Sequence, residues 1–134
     1  MDLSTLNYWA VLVAAVSSFV IGGLWYSPVL FANGWMAANK FSAEDVAGGN
    51  KAMIFGGAFV LNLIMAFNLA AFLGGKADLA WGVTAGALAG IGWVACSFGV
   101  TYLFERRPAK LFFINAGYHA VAFMAMGAIL GAWK

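Results

Sequence analysis

The chain has 134 residues, of which 64% are hydrophobic and only 9% charged, with a formal net charge of +2 at pH 7. A soluble domain carries about a quarter of its residues as charges, so a water-soluble fold and a soluble catalytic domain are both excluded. Since about 20 residues cross a hydrocarbon core of roughly 30 Å, the length holds four or five crossings and little else.

Four uncharged stretches organise the chain, at 3–39, 52–75, 79–104 and 111–133. The first is longer than one crossing needs, and Pro28 marks its end, which predicts a span over 6–27. Asp2 is the only charge before it, so it lacks the basic start of a signal peptide and reads as a retained anchor. In the following segment, 28–52, Val29, Leu30, Phe31, Trp35 and Met36 are too few to cross and suit a stretch lying in the interface. Ser42 and Asp45 have the spacing of a capping box, with Asp in place of the usual Glu. They predict a short helix that Gly48 and Gly49 would end. Spans over 53–74, 80–104 and 110–133 follow. Glu105, Arg106, Arg107 and Pro108 make the tight turn between the last two, with Pro108 tolerated at the start of the next helix. The expected fold is an all-α integral membrane protein: one domain, 1–134, of four transmembrane helices in an antiparallel bundle. An interfacial, short helical segment lies between helices one and two.

Trp and Tyr concentrate at membrane surfaces. Four spans place Tyr8, Trp9, Trp81 and Trp133 on one side and Trp25, Tyr26, Trp35 and Tyr102 on the other. Trp93 and Tyr118 are exceptions, lying well inside their spans. Basic residues mark the inner side: Lys40, Lys51, Arg106, Arg107 and Lys110 outnumber Lys76 and Lys134, which predicts both termini outside. The single Cys96 cannot form an intrachain disulfide, and its apolar surroundings predict a small packed hydrophobe.

Helix faces carry the remaining information. Small residues let helices approach closely in lipid, and Gly82, Gly86 and Gly90 recur at spacing four on the third helix. Continued at about 100° per residue, the same arc takes in Trp93, Ser97 and Thr101. On the fourth helix Asn115 and His119 share a face, with Tyr118 beside them. Polar groups inside a bilayer normally point into the bundle or a wet cavity. The expected result is a bundle pinched towards the outside, with a polar pocket opening inward and lined by Tyr26, Asn62, Ser97, Thr101, Asn115, Tyr118 and His119. The competing reading is that these groups only fix helix register, with Asn115 satisfying His119. Gly127 and Gly131 on the fourth helix, and Gly57 and Asn68 on the second, lie on other faces and are expected to meet another subunit.

The run 10–35, with Leu24, Trp25, Tyr26, Ser27 and Pro28 followed by Leu30 and Phe31, carries a resemblance. So do Phe104 to Pro108, the stretch 113–119 with Asn115, Tyr118 and His119, and the end through 126–130 to Trp133. Together they resemble the bacterial membrane proteins grouped as domain-of-unknown-function family 1761. The likeness covers nearly the whole chain. It implies a bacterial four-helix membrane protein, and the family has no established activity to transfer.

Three classes of function follow. The first is a non-enzymatic subunit that forms oligomers or joins a larger complex. The alternative is a small channel or transporter for a neutral or anionic solute, with Glu105, Arg106, Arg107 and Lys110 at the inner mouth. Proton or cation coupling usually needs an intramembrane carboxylate, and the spans have none. The third is a membrane enzyme or haem protein, for which no nucleophile–base pair or metal set is visible. The expected surroundings are the bilayer of a bacterial inner membrane and further copies or subunits. No metal, cofactor or nucleic acid is expected.

Overall fold

The computed structural model describes residues 3–133. Asp2 and Lys134, which enter the charge reading, lie outside them. The helices are α1 (Tyr8–Trp25), α2 (Ala32–Asn39), α3 (Ala43–Ala47), α4 (Lys51–Leu73), α5 (Leu79–Ala89), α6 (Cys96–Glu105) and α7 (Ala109–Ala132). A π-helical segment, Gly90–Ala95, joins α5 to α6. Leu79–Glu105 thus forms one long span, and with α1, α4 and α7 it makes four helices long and apolar enough to cross a membrane.

Local chemistry starts and stops these elements. Asn7, Asn50 and Asp78 cap α1, α4 and α5 by accepting from the backbone N–H three residues on, at 3.1, 3.1 and 2.8 Å. Each satisfies a donor that the first helical turn leaves unpaired. Lys40 and Arg106 close α2 and α6 in the left-handed conformation, with φ of 59° and 58°. The predicted capping box is present: Asp45 N–H donates to Ser42 Oγ at 3.1 Å, and Ser42 N–H donates to Asp45 Oδ2 at 2.8 Å. The resulting helix ends at Gly48, as expected.

That box is expected to make α3 pH-sensitive. The Ser42 backbone N–H, and then its hydroxyl, hold the Asp45 carboxyl below its ordinary 3.8. A carboxyl depressed on folding contributes stability above its unfolded value and loses it as pH falls through the folded one. Amide exchange at Ser42 and Asp45 should therefore accelerate below about pH 4, beyond the intrinsic pH trend. Asp45→Asn should remove the extra acceleration, and an unchanged profile in that variant would refute the assignment.

Packing is uneven along the chain. The Leu79–Glu105 span packs chiefly on α7, α7 on α1, and α1 on α4, with a smaller contact between α4 and α7. In the most apolar window of each span, 44% of α7 is buried, against 28% of α1 and 17% of each of the other two. α7 is the hub. Neighbouring residues run in opposite order on its two main partners: Gly82, Gly86 and Gly90 meet Gly127, Phe123 and Ala120, while Trp25 and Ser18 meet Ile114 and Tyr118.

Between α5 and α7 the backbones touch. A Cβ on Gly82 would collide with the Gly127 carbonyl, one on Gly127 with the Gly82 carbonyl, and one on Gly131 with the Asp78 carbonyl. The third-helix glycine pattern thus has its counterpart on α7. Gly127 and Gly131, expected to face another subunit, are instead committed to this contact within the chain. Around it lies a core of small and medium side chains, including Ala14, Ala66, Ala70, Ala85, Phe123 and Met126. This apolar core occupies the half of the bundle towards the α4–α5 turn. The other half is polar.

Candidate functional site

Two hydrogen-bonded groups fill that polar half. In the first, Ser18 Oγ donates to Asn62 Oδ1 at 3.0 Å and lies 3.1 Å from the Tyr118 hydroxyl. The Tyr118 hydroxyl donates to the Ser18 carbonyl at 3.0 Å. All three residues are buried. In the second, the Tyr26 hydroxyl donates to Asn115 Oδ1 at 2.6 Å, and Asn115 Nδ2 donates to the Tyr102 hydroxyl at 2.8 Å. The Tyr26 and Tyr118 rings meet at 5.6 Å and join the two groups.

Glycine makes room for this arrangement. A Cβ on Gly22 would stand 3.2 Å from the Tyr118 hydroxyl, and one on Gly117 would stand 3.1 Å from the Trp25 ring. The close approach at Gly117 lets the Trp25 indole N–H reach the Ile114 carbonyl at 2.8 Å.

The mouth of this region is covered. On α2, Trp35 packs edge-on against Tyr26 at 5.9 Å, and Phe31, at its N-cap, lies 4.8 Å from Trp25. The Arg107 guanidinium donates to Asn39, and Lys110 lies against Gly34. An open inward pocket was expected. The interfacial segment instead forms a helix over that end, and the polar side chains beneath it bond to one another.

His119 touches the first group but has no hydrogen bond to either among the described residues. Its ring stacks on Phe98 at 5.1 Å and meets Tyr118 edge-on at 4.7 Å. Asn115, its expected partner, is occupied by Tyr26 and Tyr102. Among the described residues, no three His, Cys, Asp or Glu side chains come close enough to share a metal ion.

Ser97 and Thr101 depart from expectation for a definable reason. A π segment inserts one residue relative to α-helical spacing, which turns everything after it by about 100°. Beyond Gly90, the arc facing α7 therefore runs through Val94, Phe98 and Tyr102, all half-buried. Trp93, Ser97 and Thr101 turn outward. Ser97 bonds only its own helix, donating to the Trp93 carbonyl at 2.6 Å. Cys96, expected to be packed, is exposed, and its thiol donates to the Ile91 carbonyl at 3.3 Å across the irregular turn.

Of the predicted residues, the fold brings together Tyr26, Asn62, Asn115 and Tyr118, places His119 beside them, and excludes Ser97 and Thr101. It adds Ser18, Trp25 and Tyr102. Ser18 had a faint signal, since Ser17 and Ser18 interrupt an otherwise apolar stretch of α1. Tyr102 read only as part of an interfacial belt.

This architecture is that of an all-helical protein with four membrane-length helices and a closed polar cluster. The chain belongs to the family described as "Protein of unknown function (DUF1761)", whose model matches residues 9–131. No curated protein and no solved structure matches it.

Proposed function

We propose that this chain is a non-enzymatic membrane subunit that assembles, most simply with a second copy of itself, through the outward face of α4. Ile54, Gly57, Leu61, Ile64 and Asn68 recur at spacings of three and four along that face, and all five are exposed. This is the periodicity of a helix–helix seam. Gly57 has open space around it.

Asn68 is the observation that carries the reading. Its Nδ2 donates to the Ile64 carbonyl of its own helix at 2.8 Å. Its Oδ1 has no partner among the described residues. Burying a polar group without a hydrogen bond is costly, and a two-fold related copy would bring an identical amide, able both to donate and to accept, to the same place. The interior polar groups support the same reading, because they bond to one another. By the distribution of basic residues, the α2 end faces the cytoplasm of a bacterial inner membrane, and both ends of the four-span unit face outward.

Cross-linking in native membranes tests the proposal. The wild-type chain should give a discrete oligomer, and Asn68→Leu should reduce it severalfold while leaving the folded monomer intact. An oligomer that survives Asn68→Leu unchanged, or a wild-type chain that is monomeric, would overturn it.

A further inference from the structure

A shallow, open groove of about 360 Å³ runs along the outward face of the π segment and α6, bounded by Trp93, Ser97 and Thr101 on one ridge and Val94, Phe98 and Tyr102 on the other. Trp93 stands 70% exposed at its head. From Trp93 to Tyr102 the groove runs roughly 14 Å at the helical rise, close to the depth of one leaflet's hydrocarbon, about half of 30 Å.

Glu105, the last residue of α6, and the basic residues of the α6–α7 turn follow its lower end. Four residues beyond Tyr102, Arg106 closes α6. The three bases of this turn differ in their engagement. Arg107 donates to Asn39, and Lys110 lies against Gly34, so both serve to hold α2. Arg106 has neither a hydrogen-bond nor an ion-pair partner among the described residues. It is the one that directly follows α6.

We infer that this groove is the seat of an anionic phospholipid, with an acyl chain between the Trp93 and Phe98 ridges and the headgroup phosphate at Arg106. The occupant follows from complementarity at both ends. A shallow apolar groove of one leaflet's depth suits a lipid chain, and an unengaged guanidinium at the level where the hydrocarbon ends suits a phosphate. A neutral lipid would fill the groove equally well and gain less from Arg106. The inference does not depend on assembly through α4, which uses a different face.

Tryptophan quenching provides the test. The full chain would be reconstituted in phosphatidylcholine vesicles containing brominated phosphatidylglycerol or, separately, brominated phosphatidylcholine at equal mole fraction. The Trp93 contribution is isolated as the difference between wild type and Trp93→Phe, a substitution at an exposed position. Trp93 should associate with the anionic lipid about fivefold more strongly than with the neutral one, the preference expected from one basic residue near a charged headgroup. Arg106→Gln should abolish the preference while leaving quenching by the neutral lipid unchanged. Equal quenching by the two lipids, or a preference that persists in Arg106→Gln, would overturn the assignment. Efficient cross-linking of exposed Cys96 to Cys96 of a second chain in the same vesicles would also overturn it, because the groove would then be an interface between copies.

Discussion

Gly127→Ala is expected to abolish most of the folded protein, although it adds a single methyl group. That methyl would meet the carbonyl of Gly82 across the α5–α7 contact, and neither backbone can yield without moving its helix. Overpacking of this kind costs about 1–3 kcal/mol when side chains can adjust. Here the obstacle is backbone on both sides, so about 3 kcal/mol is the expected minimum, a large part of a typical domain's stability. Gly82→Ala should behave in the same way, since its Cβ meets the reciprocal carbonyl. Gly23→Ala and Gly56→Ala are the internal controls. Both positions have open space, and alanine in a helix interior should be neutral or up to about 1 kcal/mol stabilising. Yield of monodisperse protein and thermal unfolding in mild detergent would separate the two groups. A Gly127→Ala protein as stable as wild type would refute the backbone contact.

The second large effect is expected at Asn115. Asn115→Leu removes the acceptor of the Tyr26 hydroxyl and the donor to the Tyr102 hydroxyl at once. An unsatisfied buried polar group costs about 1–3 kcal/mol, whereas interhelical hydrogen bonds in a bilayer average about 0.6 kcal/mol. Both hydroxyls are only partly buried, which places the expected loss at about 1–3 kcal/mol for the pair. The diagnostic feature is coupling. In a Tyr26→Phe, Tyr102→Phe background, Asn115→Leu should cost little, because the groups it would strand are already gone. Unfolding measurements over this cycle decide the matter: an additive result would mean that Asn115 acts through packing alone.

Most of the fold was legible because charge is so expensive within hydrocarbon that its distribution marks the helix ends. The predicted spans 6–27, 53–74, 80–104 and 110–133 compare with helices at Tyr8–Trp25, Lys51–Leu73, Leu79–Glu105 and Ala109–Ala132. The glycines of the third span were legible for a related reason, since three at spacing four serve close approach and little else. Ser97 and Thr101 were misplaced because a π segment has no compositional mark, so a helical wheel drawn through Gly90 carries its error to every later residue. Ser18 was overlooked because a serine can bond its own helix and stay silent, as Ser17 does with the Ala14 carbonyl at 2.7 Å. Which of two adjacent serines turns inward depends on the neighbour, and the neighbour is Asn62, 44 positions away.

The central position of α7 bears on how the protein is made. Ribosomes deliver helices in order, and α7 is the last of the four to be delivered. Until it arrives, α1 and α4 have each other, but the glycine face of α5 has no surface to close against and Tyr118 is absent from the cluster around Ser18. The earlier spans would therefore lack most of their packing until the final one closes the bundle. Translation that stops before α7 would leave three spans without the contact that closes the glycine face of α5.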